Sequence, residues 1–149
     1  EIANVGGMST PKLLQEWYGP GDDGVVRNLF PEKARLGSRL IRGYVARPAR
    51  PELISGTIHR TKLCQYDFTK AQYTALFRLA AALSRTFPKI RLEVPRDAGG
   101  KVRTTVMPEP LRSQFQGIVG HFHLDEQKYD PGPAFDWEIF LGGAKRLKK

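Results

Sequence analysis

Cysteine is nearly absent from this sequence, since Cys64 is the only one among 149 residues. A single cysteine excludes a disulfide within the chain and a cysteine-based zinc site. Cys64 stands in an alternation of apolar and polar residues just before a helical pattern. We therefore interpret it as a small buried side chain rather than as a reactive thiol.

Long hydrophobic runs are also missing, and none approaches the ~18 residues that a membrane-spanning helix requires. The sequence thus predicts no membrane span. Hydrophobic residues still make up 40% of the chain and aromatic residues 10%. This is enough apolar material for a packed core, and the length suits one domain covering residues 1–149.

Acidic residues are scarce relative to basic ones, 15 against 24, and the net charge is +9. Such a balance favours a polyanionic partner: nucleic acid, an anionic membrane surface or an acidic cell-wall polymer. The sequence has neither an aromatic-interleaved RNA-binding pattern nor zinc-finger spacing. Nucleic acid is therefore not the favoured partner, and a basic solvated surface explains the charge equally well.

The clearest regular element is a helix predicted over residues 69–87. Thr69 and Gln72 have the spacing of a capping box, and Pro88 ends the helix. One apolar face recurs at helical spacing through Tyr73, Leu76, Phe77, Ala80, Leu83 and Phe87.

Shorter patterns surround this helix and alternate between strand-like and helix-like. Extended segments are predicted at 1–7, 40–46, 53–59, 90–95 and 117–123. Short helices are predicted at 11–18, 108–116 and 133–141. This alternation predicts the α/β class. Residues 8–60 are rich in proline and glycine, and we interpret them as a long loop-rich insertion that lines or covers a substrate groove.

Residues 117–137 carry the side chains most suited to chemistry. His121 and His123 end a predicted strand, and Lys128 and Asp130 lie on the loop that follows. Imidazole nitrogen and carboxylate oxygen are ligands that zinc accepts in tetrahedral geometry. The Pro-Gly-Pro sequence after Asp130 would restrain its backbone. Such a pair does not by itself define a metal site.

The whole segment resembles a known family. G-H-x-H/D, a short loop and then K-x-D-P-G-P-A-F-D-W is the C-terminal signature of zinc-dependent N-acetylmuramoyl-L-alanine amidases, which are similar to phage-type lysozymes and peptidoglycan recognition proteins. Residues 130–137, DPGPAFDW, match this signature without a gap. Residues 65–83 resemble the family's preceding helix, and residues 1–7 resemble an early strand that has lost its first residues.

The resemblance implies a fold and a set of roles. The fold is a central mixed β-sheet flanked by helices, with Zn²⁺ bound at the strand ends. His121 and Asp130 match two of the three zinc ligands, and Lys128 matches the lysine that stabilises the developing oxyanion. Glu1 matches the glutamate that acts as general base. Zinc activates water, a carboxylate can move its proton, and an ammonium offsets the oxyanion charge.

Three departures from the family pattern concern the zinc site. The family's first ligand is a histidine on a strand that would precede Glu1, outside this sequence. The loop from His121 to Asp130 is about one residue shorter than in the cytoplasmic muropeptide amidases. Glu1 also carries a free α-amine here. We therefore expect an N-terminally incomplete amidase domain whose third ligand comes from a preceding segment or a separate chain.

Several aromatic residues and histidines have more than one interpretation. His123 competes with His121 as a ligand, but the motif favours His121, and we expect His123 to line the substrate pocket or to be hydrogen-bonded. Trp17 is expected to stack on a sugar ring of the substrate. Trp137 is expected to pack beneath the metal loop. His59 has no local pattern that supports a ligand role, and an exposed loop position is expected for it.

The predicted function is hydrolysis of the amide bond between N-acetylmuramic acid and L-alanine in bacterial peptidoglycan or a muropeptide. The substrate implies a periplasmic or secreted location. An alternative is a catalytically inactive peptidoglycan-binding module, although such relatives commonly lack a ligand and His121, Lys128 and Asp130 are all present. A basic nucleic-acid-binding protein is a further alternative, but it does not explain residues 130–137.

Overall fold

The computed structural model describes residues 11–34, 43 and 45–149. Its α-helices are Lys70–Thr86 (α1), Leu111–Gln114 (α2) and Trp137–Lys148 (α3). Its β-strands are Tyr18–Pro20 (β1), Val26–Asn28 (β2), Ile54–Ile58 (β3) and Thr61–Gln65 (β4). Single turns of 3₁₀ helix occur at Pro11–Leu14, Glu32–Ala34 and His121–His123. The chain is a small mixed α/β structure, as its alternating pattern predicts.

The strands form two separate antiparallel pairs. β1 pairs with β2, and β3 pairs with β4 so that Ile54 lies opposite Gln65 and Ile58 opposite Thr61. Within the described residues no third strand joins either pair. The described part of the chain therefore lacks the central sheet that the family resemblance implies. The strand predicted at 1–7 lies outside the described residues.

The strands predicted at 90–95 and 117–123 are absent. The two segments run side by side, and the Arg91 amide donates to the Gln116 carbonyl while the Ile118 amide donates to the Glu93 carbonyl. The bonds do not extend into a ladder, because Pro95 has no N–H to donate and Gly120 has no side chain to pack on a sheet. The second segment ends in a 3₁₀ turn at His121–His123.

The bounds of helix α1 confirm the prediction to within one residue at each end, whereas Leu83 and Phe87 of its predicted apolar face are exposed. The Gln72 amide donates to Thr69 Oγ1, and the Thr69 amide donates to Gln72 Oε1, which completes the predicted capping box. Helix α3 begins after Asp136, whose carboxylate accepts from the Ile139 amide. It continues through two glycines at which the prediction ended, because packing on α1 outweighs the low helix propensity of glycine.

An aromatic core joins α1, α3 and the residues that lead into α3. Its buried rings are Phe68, Tyr73, Phe122, Phe135, Trp137 and Phe140. Phe135 stacks on Tyr73 with ring centroids 5.7 Å apart and meets Trp137 edge to face at 4.8 Å. The buried position of Trp137 agrees with its prediction. Residues 135–137 thus anchor one end of the candidate site in the core.

A second apolar cluster supports the first sheet. Leu14, Tyr18 and Cys64 are buried together, and Trp17 packs against them. The burial of Cys64 confirms its interpretation as a small core side chain. In the described part of the chain, no helix is both long enough and apolar enough to cross a membrane.

Two adjacent glycines in α3 provide a test of the α1–α3 packing. A Cβ added at Gly143 would lie 2.6 Å from the Phe77 ring, whereas one added at Gly142 would meet nothing closer than Arg146 Nη1 at 3.7 Å. Gly142→Ala should stabilise the fold by about 0.5–1 kcal/mol through helix propensity. Gly143→Ala should be less stable than Gly142→Ala by about 1–3 kcal/mol, because overpacking offsets that gain. Urea unfolding of both variants measures the difference, and equal stabilities would contradict this packing.

Candidate metal site

The structure brings His121 and Asp130 together across the loop that separates them. His121 Nδ1 lies 3.4 Å from Asp130 Oδ2, and the two side chains are 47% and 63% exposed. His121 begins the 3₁₀ turn, and its carbonyl accepts from the amides of Leu124 and Asp125. The turn therefore holds the backbone of His121 while its ring remains accessible to solvent.

A close backbone crossing places Asp130 beside this turn. The Phe122 amide donates to the Asp130 carbonyl at 3.4 Å. A Cβ at Gly120 would lie 2.8 Å from Pro131 Cδ and 3.3 Å from the Asp130 carbonyl oxygen. Glycine is therefore needed at position 120 for the two segments to approach closely enough for His121 to meet Asp130.

The separation of the two side chains fits a shared zinc ion. Two ligand atoms about 2.0–2.1 Å from a tetrahedral zinc lie about 3.3 Å apart. The observed 3.4 Å is close to this value and is long for a direct hydrogen bond. Among the described residues, no third His, Cys, Asp or Glu joins the pair to complete a metal-binding group. The pair thus fits two of the three protein ligands that a catalytic zinc uses.

Lys128 lies exposed on the same loop. Its amide donates to the Asp125 carbonyl at 3.3 Å, and its carbonyl accepts from His59 Nε2 at 3.1 Å. The His59 ring lies edge-on to Tyr129, with centroids 5.9 Å apart. His59 thus supports the loop from the β3–β4 turn and is only partly exposed, whereas the sequence predicts an exposed loop histidine.

His123 is fully buried, and both its ring nitrogens are occupied. Nδ1 accepts from the Gly120 amide, and Nε2 donates to the Arg103 carbonyl, each at 2.8 Å. Burial lowers the pKa of His123 to about 4, so the ring is neutral at neutral pH. The structure shows the hydrogen-bonded alternative predicted for His123. Its burial is incompatible with the direct substrate contact also expected of it.

Of the other two predicted site residues, one lines a groove to which neither His121 nor Asp130 contributes, and the other lies outside the described residues. Trp17 lines a groove of about 940 Å³ between the first sheet and the beginning of α1, and its ring meets Phe30 edge to face at 6.2 Å. Glu1 is outside the described residues, so the proposed general base has no structural placement.

Sequence reasoning missed a buried polar network that supports the loop after Asp130. Arg50 Nε donates to Asp67 Oδ2 at 2.6 Å, and Arg50 Nη2 donates to the Ala134 carbonyl at 2.5 Å. Tyr73 Oη donates to Asp67 Oδ1 at 2.8 Å, and burial raises the pKa of this phenol well above its usual range. The two partners of Arg50 are 17 and 84 positions away in the sequence, so no local spacing marks them.

Comparison with known proteins identifies no relative of this chain. No protein-family model matches this chain, and no curated protein or solved structure matches it either. The similarity to the amidase signature therefore rests on residues 117–137 and the segments that accompany them.

The buried, neutral state of His123 predicts a pH dependence of stability. The unfolded chain takes up a proton at this side chain below about pH 6.5, and the folded chain does so only near pH 4. Because the unfolded state then binds more protons, stability should fall as pH falls through this window, by on the order of 3 kcal/mol. Urea unfolding between about pH 7 and pH 4 measures the slope.

Two variants separate His123 from the other titrating groups. His123→Gln is expected to be less stable at neutral pH and to show a shallower pH dependence, because the ring that titrates is gone. His121→Gln leaves His123 in place and should keep the steep dependence. Equal slopes for the two variants would contradict the assignment.

Proposed function

We propose that this protein is a zinc-dependent N-acetylmuramoyl-L-alanine amidase, which hydrolyses the amide bond between the lactyl group of N-acetylmuramic acid and L-alanine. The observation that carries the proposal is the 3.4 Å approach of His121 Nδ1 to Asp130 Oδ2. These are the two residues that the amidase signature assigns to zinc, and their spacing allows both to bind one tetrahedral ion.

A third metal ligand, Glu1 and Lys128 complete the proposed site. His121 and Asp130 hold the metal, and the third ligand comes from a preceding segment or a separate chain. Zinc, when bound, supplies Lewis-acid activation of the amide carbonyl and of water. Glu1 takes the proton from water and returns it to the leaving nitrogen. Lys128 faces solvent on the loop between the two ligands and offsets the negative charge that develops on the carbonyl oxygen.

The local structure gives a physical reason for several residues of the DPGPAFDW sequence. Asp130 is exposed, whereas Phe135 and Trp137 are buried, so residues 131–134 must turn the chain from solvent into the core. Gly132 has φ +92°, which L side chains rarely adopt, so the turn requires glycine there. The sequence thus holds the backbone next to Asp130 in one conformation while the carboxylate stays exposed. A metal ligand requires such a fixed position.

The remaining features are consistent with a wall substrate. The net charge of +9 suits a polymer that carries carboxylates and phosphates. Trp17 and Phe30 form an aromatic surface in the groove beside α1, suited to stacking on a sugar ring. The proposal includes an amidase-type fold and a periplasmic or secreted location in bacteria.

The proposal predicts that zinc binding and amide cleavage depend together on Asp130. Asp130→Ala removes one ligand and should weaken zinc binding strongly. Loss of a residue that only supports a ligand weakens metal binding by about 10- to 100-fold, and loss of the ligand itself should exceed this. Competition with a chelating dye measures zinc affinity. Mass spectrometry of a muropeptide measures release of the peptide with a free L-alanine amine, and the variant should release none above the uncatalysed background.

Two further variants make the test specific. Glu126→Ala removes an equal charge from the same exposed loop and should retain both zinc binding and cleavage. Lys128→Met should retain zinc but lower kcat by about 10²–10³-fold, as loss of an oxyanion donor does. Zinc binding without cleavage in the unmodified protein would identify an inactive binding module. Zinc affinity that is equal in Asp130→Ala and Glu126→Ala would reject the site.

A further inference from the structure

A buried glutamine clamps the segment that follows Asp130. Gln65, the last residue of β4, is 1% exposed. Its Nε2 donates to the Pro131 carbonyl, and its Oε1 accepts from the Ala134 amide, both at 3.0 Å. A single side-chain amide thus binds the backbone at both ends of the four-residue turn 131–134.

The turn is shaped to fit this amide. A Cβ added at Gly132 would collide with the Gln65 amide, so the glycine allows the backbone to close over it. On the other face, Gly56 of β3 lies so near Pro133 that an added Cβ would be 2.7 Å from Pro133 Cβ. Arg50 donates to the Ala134 carbonyl at 2.5 Å. The turn is therefore fixed by β3, β4 and Arg50 together.

The orientation of Asp130 follows from this clamp. Asp130 immediately precedes Pro131, and its own carbonyl is bonded to the Phe122 amide beside His121. Beyond the aspartate, Gln65 fixes the Pro131 carbonyl. The backbone of Asp130 is thus held on both sides, which fixes the point from which its exposed carboxylate reaches His121.

We propose that Gln65 is a positioning residue for the metal site: its side-chain amide holds the turn 131–134 so that the Asp130 carboxylate stays within ligand distance of His121. Gln65 acts through the backbone and does not touch the metal. The inference rests on the proposed function for the identity of the metal. The clamp itself is shown by the hydrogen bonds of Gln65 to the Pro131 carbonyl and the Ala134 amide.

Zinc affinity tests this role directly, with Zn²⁺ alone as the probe. Gln65→Met keeps the length of the side chain and removes both hydrogen bonds. Its zinc affinity should be about 10- to 100-fold weaker than that of the unmodified chain, the cost typical of losing an outer-shell partner. Ser84→Ala is the matched control, because Ser84 is equally buried and donates to the Ile90 carbonyl near the end of α1. It should lower stability without changing zinc affinity.

Hydrogen–deuterium exchange provides a second measurement that needs no metal. The amides of Asp130, Gly132 and Ala134 should exchange faster in Gln65→Met than in Ser84→Ala. If Gln65→Met does not fold, Gln65→Glu retains the acceptor for the Ala134 amide and loses the donor to the Pro131 carbonyl. It should then protect Ala134 and still weaken zinc binding.

The outcomes distinguish this inference from the proposed function. Zinc binding that is weaker in the Gln65 variant and unchanged in the Ser84 variant supports both the positioning role and the amidase proposal. Equal zinc affinity in the Gln65 and Ser84 variants overturns the positioning role while leaving the amidase proposal intact. If the chain binds no zinc even together with the segment that supplies the third ligand, the amidase proposal fails. The exchange rates of residues 130–134 then decide the role of Gln65, and equal rates in both variants overturn it.

Discussion

The backbone of Ala134 is bound at both its polar groups by side chains from distant parts of the chain, and the geometry of the candidate site depends on this attachment. Gln65 accepts from its amide, and Arg50 donates to its carbonyl. Behind Arg50, the carboxylate of Asp67 also accepts from Tyr73. A buried polar network of this kind is favourable only when its members are satisfied, so it specifies one position for the turn. From that fixed turn the chain runs outward to Asp130 and inward to Trp137.

The second support of the site is the 3₁₀ turn at His121–His123. His123 is buried as a neutral ring between the Gly120 amide and the Arg103 carbonyl, and His121 faces solvent two residues earlier. The two histidines thus have different roles. His123 stabilises the turn through its hydrogen bonds, and His121 presents Nδ1 toward Asp130. An extended strand would have placed both rings on the same face. The 3₁₀ turn separates the two rings. Both ring nitrogens of His123 are therefore hydrogen-bonded in the interior, whereas the His121 ring is accessible to solvent.

Local sequence patterns predicted the features whose causes are local. The capping box of α1 depends on two residues three positions apart, and Pro88 follows its end, so this helix was predictable to within a residue. The meeting of His121 with Asp130 followed from a family signature rather than from spacing. The segments at 90–95 and 117–123 were predicted as strands but form none, because Pro95 and Gly120 prevent their hydrogen bonds from extending into a ladder. The roles of Gln65 and Arg50 depend on contacts across 66 and 84 positions, which no local pattern records.

In the proposed site, one zinc ion lies between His121 and Asp130. Anomalous diffraction at the zinc edge, on crystals of this protein grown with Zn²⁺, tests it most directly. We expect an anomalous peak about 2 Å from both His121 Nδ1 and Asp130 Oδ2, the bond length of zinc to nitrogen and oxygen. A peak held by other side chains, or none at this pair with zinc present in excess, would contradict the account.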